Sequence, residues 1–119
     1  MDRLSEGEWK LMELLWEEAP VNSTRLVKRC RERLSWSKST TYTVLRRLCR
    51  KGAAANQSAT VTPLVTREAV LQAQGDALSH QAGGLSPLLT AFFSGRKLTK
   101  EQAEELKALI DQHTWETGT

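Results

Sequence analysis

A chain of 119 residues, 39% hydrophobic and 26% charged, is sized for one domain, or one domain with a short appendage, of ordinary globular composition. No basic stretch leads into an apolar run at the N-terminus, and no uncharged apolar run approaches the roughly 20 residues of a spanning helix, which predicts neither a signal peptide nor a membrane segment. Two cysteines, Cys30 and Cys49, are too few for a disulfide scaffold or a zinc site, so no metal or other cofactor is expected and a cytoplasmic protein with free thiols is the simplest reading.

Ser5 followed by Glu8 is a capping-box pattern that opens a first helix. Trp9, Leu11, Met12, Leu14, Leu15 and Trp16 make a broad apolar stripe at helical spacing, so the two tryptophans read as core. Pro20 disfavours helix at Ala19 and ends the element. Asn22 is a good cap for a second helix, with Leu26, Val27 and Cys30 inward and Arg25, Lys28, Arg29 and Arg31 outward.

After the short connection Leu34-Ser35-Trp36, Ser37 caps a third helix running from about Lys38 to Lys51. Thr41, Val44, Leu45 and Leu48 recur at steps of three and four and point to the core. The other side shows Ser39, Thr40, Tyr42, Thr43, Arg46, Arg47 and Arg50, hydroxyls first and arginines last, with no acid. A helix face selected for solubility more typically mixes Glu with Lys at i,i+4. This face suits a major groove, with hydroxyls and Tyr42 near base edges and arginines on phosphates.

Charge sharpens the contrast. Residues 1–24 hold six acids against two bases, whereas residues 25–51 hold ten bases and the single acid Glu32, a surplus of nine positive charges. Such a lopsided block is the footprint of a polyanion-binding element. The expected DNA-binding set is Lys38, Ser39, Thr40, Tyr42, Thr43, Arg46, Arg47, Arg50 and Lys51.

Gly52 terminates the third helix, and Ala53 to Val65 read as a two-stranded hairpin with a polar Asn56-Gln57-Ser58 tip, Pro63 restricting the second strand to an edge. Three helices and a ribbon make a mainly α winged helix-turn-helix domain with a small β-wing over residues 1–65. Residues 66–119 then form a helical dimerisation region. Thr66 caps a helix carrying Val70, Leu71 and Leu78, Gly83-Gly84 breaks it, and Ser86-Pro87 starts a short apolar helix that stops at Gly95. Thr99 and Gln102 form a second capping box for a last helix. The apolar stripes at Phe92, Phe93, Leu106, Leu109 and Ile110 have too little chain around them to be covered within one subunit, which predicts a homodimer.

The run Ser5-x-x-Glu8-Trp9-x-x-Met12-x-x-Leu15-Trp16 and the block from Trp36 to Gly52, with the final Leu98-Thr99-x-x-Gln102-x-x-Glu105-Leu106, resemble the BlaI/MecI/CopY (penicillinase repressor) family over nearly the whole length. The resemblance implies a homodimeric transcriptional repressor whose winged helices bind a palindromic double-stranded DNA operator. It implies base contacts at Ser39, Thr40, Tyr42 and Thr43, with Arg47 near the backbone. It also implies an upstream membrane-bound sensor protease in some members, and the Ala91–Phe92 bond matches the region cut there. The reading of Phe92 and Phe93 as dimer-core residues that no protease touches stands beside it and is preferred. Arg25 replaces the family's acid in the second helix and adds a base, the wing is short and alanine-rich, and the lack of a C-terminal cysteine excludes a copper hook.

The rival reading is a winged-helix module that binds protein without specific DNA binding; such modules usually lose the basic face that this chain keeps. No catalytic site is expected, because His80 and His113 are isolated from any paired carboxylate or cysteine and no glycine-rich phosphate loop is present. Cys30 and Cys49 lie near apolar positions and read as buried thiols rather than redox sensors.

Overall fold

A computed structural model describes residues 3–115. The chain divides into two compact units, the first ending at Leu78 and the second beginning at Ser79. In order, the elements are α1 (Glu6–Glu18), β1 (Val21–Asn22), α2 (Ser23–Leu34), α3 (Lys38–Arg50), β2 (Ala54–Gln57), β3 (Thr60–Pro63), α4 (Arg67–Ala82), α5 (Leu85–Phe93) and α6 (Lys100–Gln112). This is the mainly helical winged-helix plan expected from the residue pattern.

Local chemistry sets the helix ends of the first unit. At α1, the Ser5 hydroxyl accepts from the Glu8 amide while the Glu8 carboxylate accepts from the Ser5 amide, so the capping box is complete in both directions. The Asn22 side chain accepts from the Thr24 amide at the start of α2, and the Ser37 hydroxyl accepts from Thr40 at the start of α3. Gly52, at a φ of 77° that other residues adopt only at a cost, turns the chain out of α3.

The core of this unit is one apolar cluster. It joins Leu11, Met12, Leu14 and Leu15 of α1, Leu26 and Cys30 of α2, Val44, Leu45 and Leu48 of α3, and Val61 and Val70 from β3 and α4. Trp9 and Trp16 close its edge, their rings meeting edge-on at 5.4 Å, and Trp16 Nε1 donates to the Val65 carbonyl. A fully buried leucine contributes about 1.5–3 kcal/mol, whereas an exposed ion pair contributes about 0–1 kcal/mol, so this cluster rather than the surface pairs holds the helices together.

The sheet departs from the two-stranded expectation. β1 adds a third strand, and the order is β1-β3-β2, all antiparallel. β3, expected at an edge because of Pro63, is therefore central. Two features reconcile the proline with that place. The Leu64 amide donates to the Ala53 carbonyl, so the neighbouring Ala54–Pro63 pair is a non-bonded one and the Pro63 nitrogen faces away from β2. On that side β1 pairs only with Thr60 and Val61 and ends before reaching Pro63. Asn56 and Gln57, expected at the tip, belong to β2; the tip is Ser58-Ala59, both at positive φ (52° and 63°). The Ala59 carbonyl accepts from the Ser23 amide at 2.8 Å, tying the turn to the start of α2.

In the second unit Gly83 and Gly84, at φ 97° and 130°, separate α4 from α5. α5 begins at Leu85, one residue earlier than the Ser86-Pro87 signal, with Gly84 as a cap that lends no side chain. The Thr99–Gln102 capping box at α6 is present in both directions. No residue of α5 or α6 is buried.

Candidate nucleic-acid interface

α3 is held by one face only. Thr41, Val44, Leu45 and Leu48 are buried, and the Thr41 hydroxyl donates to the Ser37 carbonyl. At 100° per residue, the residues most directly opposite are Ser39, Thr43, Arg46 and Arg50, which form one outward line along the helix. Lys38 and Thr40 flank its first turn and Arg47 its end, all exposed. Tyr42 lies to one side, half-buried against the core cluster, so only part of its ring faces out. The Thr43 hydroxyl donates to the Ser39 carbonyl and keeps its lone pairs for an incoming donor.

Part of the basic block seen in the sequence is paired from within the fold, whereas Lys28 and Arg31 of α2 are exposed and make no ion pair among the described residues. On α2, Arg29 lies 2.9 Å from Glu18 and 3.2 Å from Glu32, Arg25 lies 3.4 Å from Glu18, and Arg33 lies 3.3 Å from Glu17. The hydrogen bond and charge of Glu18 raise the Arg29 guanidinium above its ordinary value. Acids of α1 thus face bases of α2, a pairing that brings Arg25 to Glu18 and that charge counting along the chain does not disclose. On α3, Lys38, Arg46, Arg47 and Arg50 make no ion pair among the described residues.

Lys51 behaves differently from its neighbours. Its ammonium donates to Glu8 Oε1 at 2.7 Å and to the Arg3 carbonyl at 2.8 Å. Glu8 is 2% exposed. Burial pushes its carboxyl up, but the hydrogen bond from Lys51, the Ser5 amide and hydroxyl, and the charge of Lys51 outweigh burial and leave it below the usual carboxylate value. Sequence reasoning saw Glu8 as a cap and missed the pair; the only local signal was an acid on a helix that also carries the apolar stripe.

The wing brings no charge of its own: between Gly52 and Thr66 there is neither acid nor base, and Asn56 to Thr60 are exposed and polar or small. Both cysteine thiols are raised by burial, with the Thr41 hydroxyl opposing the shift at Cys30 and the Asn56 backbone opposing it at Cys49. No group of residues suited to hold a metal ion occurs among the described residues, and no described helix is long and apolar enough to cross a membrane.

The residues expected at a dimer contact fall on α5 and α6 of the second unit. Phe92 is 51% exposed, Leu109 51% and Ile110 59%, with Leu106 also exposed and Phe93 half-buried. The Phe92 and Phe93 rings meet edge-on at 5.5 Å, and the Arg96 guanidinium sits 4.4 Å above Phe92. Ala91 is exposed within α5.

The chain is similar to known proteins. The model of the penicillinase repressor family matches residues 4–112. A penicillinase repressor of Bacillus licheniformis is 22% identical over 117 residues, covering 93% of this chain and 91% of that protein. The solution structure of the DNA-binding domain of the repressor BlaI superposes with a TM-score of 0.51 at 26% identity, covering 54% of this chain and 83% of that one. The monomeric form of BlaI from Bacillus licheniformis, in complex with the blaP half-operator, gives a TM-score of 0.49 at 25% identity, covering 56% of this chain and 87% of that one.

Proposed function

The chain belongs to the penicillinase repressor family, and from that premise we propose that it is a DNA-binding transcriptional repressor acting as a homodimer on a palindromic operator. The observation that carries the proposal is the outward line of α3. Its arginines have no ion partner among the described residues, while three of the five bases on α2, Arg25, Arg29 and Arg33, are paired with acids of α1. In this reading Ser39, Thr40 and Thr43, with the exposed part of Tyr42, meet base edges, and Lys38, Arg46, Arg47 and Arg50 meet phosphates. Lys51 contributes through the shape of the site, its ammonium being engaged by Glu8. A protein-binding winged helix would have no need of an acid-free outer face whose arginines make no ion pair among the described residues.

Residues 1–65 read DNA and residues 66–119 join two copies, through Phe92, Phe93, Leu106, Leu109 and Ile110. The large apolar side chains left exposed on α5 and α6 support that role, since a second copy of the same surface removes them from water. The alternative to the preferred reading of Phe92 as a dimer-core residue is a cut at Ala91–Phe92 by an upstream membrane sensor protease, and it draws its support from α5 in the single chain. That helix has nine residues, no side-chain cap and no buried residue, so local opening at Ala91–Phe92 is cheap.

Selection from a pool of random duplexes tests the function. The expected result is an inverted repeat with half-site centres about 10 base pairs, or a multiple, apart. No enriched sequence overturns it. The dimer has its own test: Leu109→Glu with Ile110→Glu is expected to give a monomer in sedimentation and to weaken operator binding by a factor of about 10²–10⁴. A dimer that survives both substitutions removes α6 from the interface.

A further inference from the structure

α4 leads from the first unit into the second, the division falling within it after Leu78. Its beginning is firmly held. Trp16 Nε1 donates to the Val65 carbonyl just ahead of the helix, the Arg67 guanidinium lies 5.6 Å above the Trp9 ring, and Val70 is buried in the core. The last hold is Gln74, whose Oε1 accepts from the Leu4 amide at 3.3 Å. Leu4 is a fixed post: its side chain is buried, the Arg3 carbonyl before it accepts from Lys51, and Ser5 after it caps α1. Gln74 is half-buried, whereas Gly75, Asp76, Ala77 and Leu78 are all exposed.

Gly75 therefore stands directly beyond the last tether, in the middle of a 16-residue helix. A Cβ there would meet nothing within 4 Å among the described residues, and Gly75 is not at positive φ, so neither packing nor turn geometry calls for glycine. What it supplies is a soft place, because glycine in a helix interior weakens the helix by a factor of about five relative to alanine. From Gly75 to Ala82 the helix runs about 10 Å, so a bend of about 20° at Gly75 moves its end by roughly 3.5 Å. One base-pair step is about as long, at roughly 34–36 Å for 10–10.5 base pairs. Without the Gln74 tether the pivot falls back to Val70, about 18 Å from the end, and the same bend moves it by roughly 6 Å.

We propose that α4 bends at Gly75, just beyond its tether at Gln74, and that these two residues set which half-site spacings the dimer accepts. The inference rests on the dimeric DNA-binding reading above and goes beyond it, since neither residue lies on the DNA-facing line of α3.

The test uses the full chain and the inverted repeat that the wild type selects, with its half-sites moved together or apart by one base pair. Gly75→Ala stiffens the helix and meets no neighbour, so its folding is secure. It is expected to increase the penalty for a shifted spacing by about fivefold per protomer while leaving affinity for a single half-site unchanged. Gln74→Met, similar in length but without a strong acceptor, is expected to reduce that penalty, and Gln74→Glu, which keeps the acceptor, to restore it. Exchange of the Leu4 amide gives a readout that needs no DNA: slow in the wild type and Gln74→Glu, faster in Gln74→Met. A spacing profile unchanged by Gly75→Ala overturns the bend, and Leu4 exchange or a spacing profile unchanged by Gln74→Met overturns the tether. A loss of single half-site affinity in Gly75→Ala overturns the assignment to spacing. A wild type that selects no repeat is a separate failure, that of the dimeric DNA-binding reading itself.

Discussion

Removing the Glu8 carboxylate by Glu8→Gln tests how much of the first unit hangs on one buried pair. Breaking a buried pair by deleting one partner costs about 3–5 kcal/mol when the other is left desolvated. Here the partner left behind is Lys51, whose side chain is 23% exposed and reaches water by a small rotation, which places the cost near or below the lower limit. The Gln oxygen still accepts from the Ser5 amide, so the cap survives in weakened form. The expected loss is about 2–3 kcal/mol, or a midpoint lowered by about 8–24 °C for a unit of this size. The opposite substitution, Lys51→Met, leaves a carboxylate that is 2% exposed with the Ser5 amide and hydroxyl as its remaining support, and burial then pushes it up.

The two variants differ in pH dependence. In the wild type the folded carboxyl lies below its ordinary 4.5, so its stabilisation is present above that value and is lost as pH falls through the folded pKa. In Lys51→Met the folded value moves up from that of the wild type, so less stability is lost as pH falls and the pH slope is flattened or reversed. Urea unfolding followed by tryptophan fluorescence at fixed protein concentration, across pH 3–8 for wild type, both single variants and the double variant, measures the coupling directly. A coupling below about 0.5 kcal/mol, or the same pH slope in Lys51→Met as in the wild type, refutes the reasoning.

Two further outcomes follow from α3 and the wing. Thr43→Ala is expected to weaken binding to a selected operator by roughly 1–2 kcal/mol per half-site while leaving binding to random duplex nearly unchanged; equal losses on both duplexes in a titration by anisotropy remove Thr43 from base reading. Ser58→Asn with Ala59→Gly places at the wing tip the residue types that tolerate positive φ in a two-residue hairpin, and is expected to stabilise the fold by about 1 kcal/mol. No rise in the unfolding midpoint means that the tip carries no strain.

What was legible in the sequence is what depends on near neighbours. The cap at Ser5, the caps at Asn22, Ser37 and Thr99, and the buried face of α3 all follow from spacings of two to four residues, and each is as expected. The strand Val21–Asn22 was not legible, because two residues carry no alternation and their partner lies at Thr60–Val61, far along the chain. Pro63 misled for a related reason: a proline forbids a bond on one side only, and which side is open depends on register. Glu8 and Lys51 each fitted a local role, cap and phosphate contact, and their pairing across 43 positions is a product of α1 packing on α3. Tyr42 sits between the inward and outward faces of α3, where a helical wheel assigns no side.

The pairing of Glu17 and Glu18 with Arg25, Arg29 and Arg33 has a consequence for how such a protein finds its target. On the proposed function, every repressor molecule spends time on irrelevant genomic sequence, and the dwell there grows with each free cation it presents, whatever the base pairs beneath. Acids that occupy three arginines from within lower that indiscriminate adhesion without touching the outward line of α3. Two glutamates far from any base edge thus favour a short sojourn on wrong DNA and a faster search for the right one.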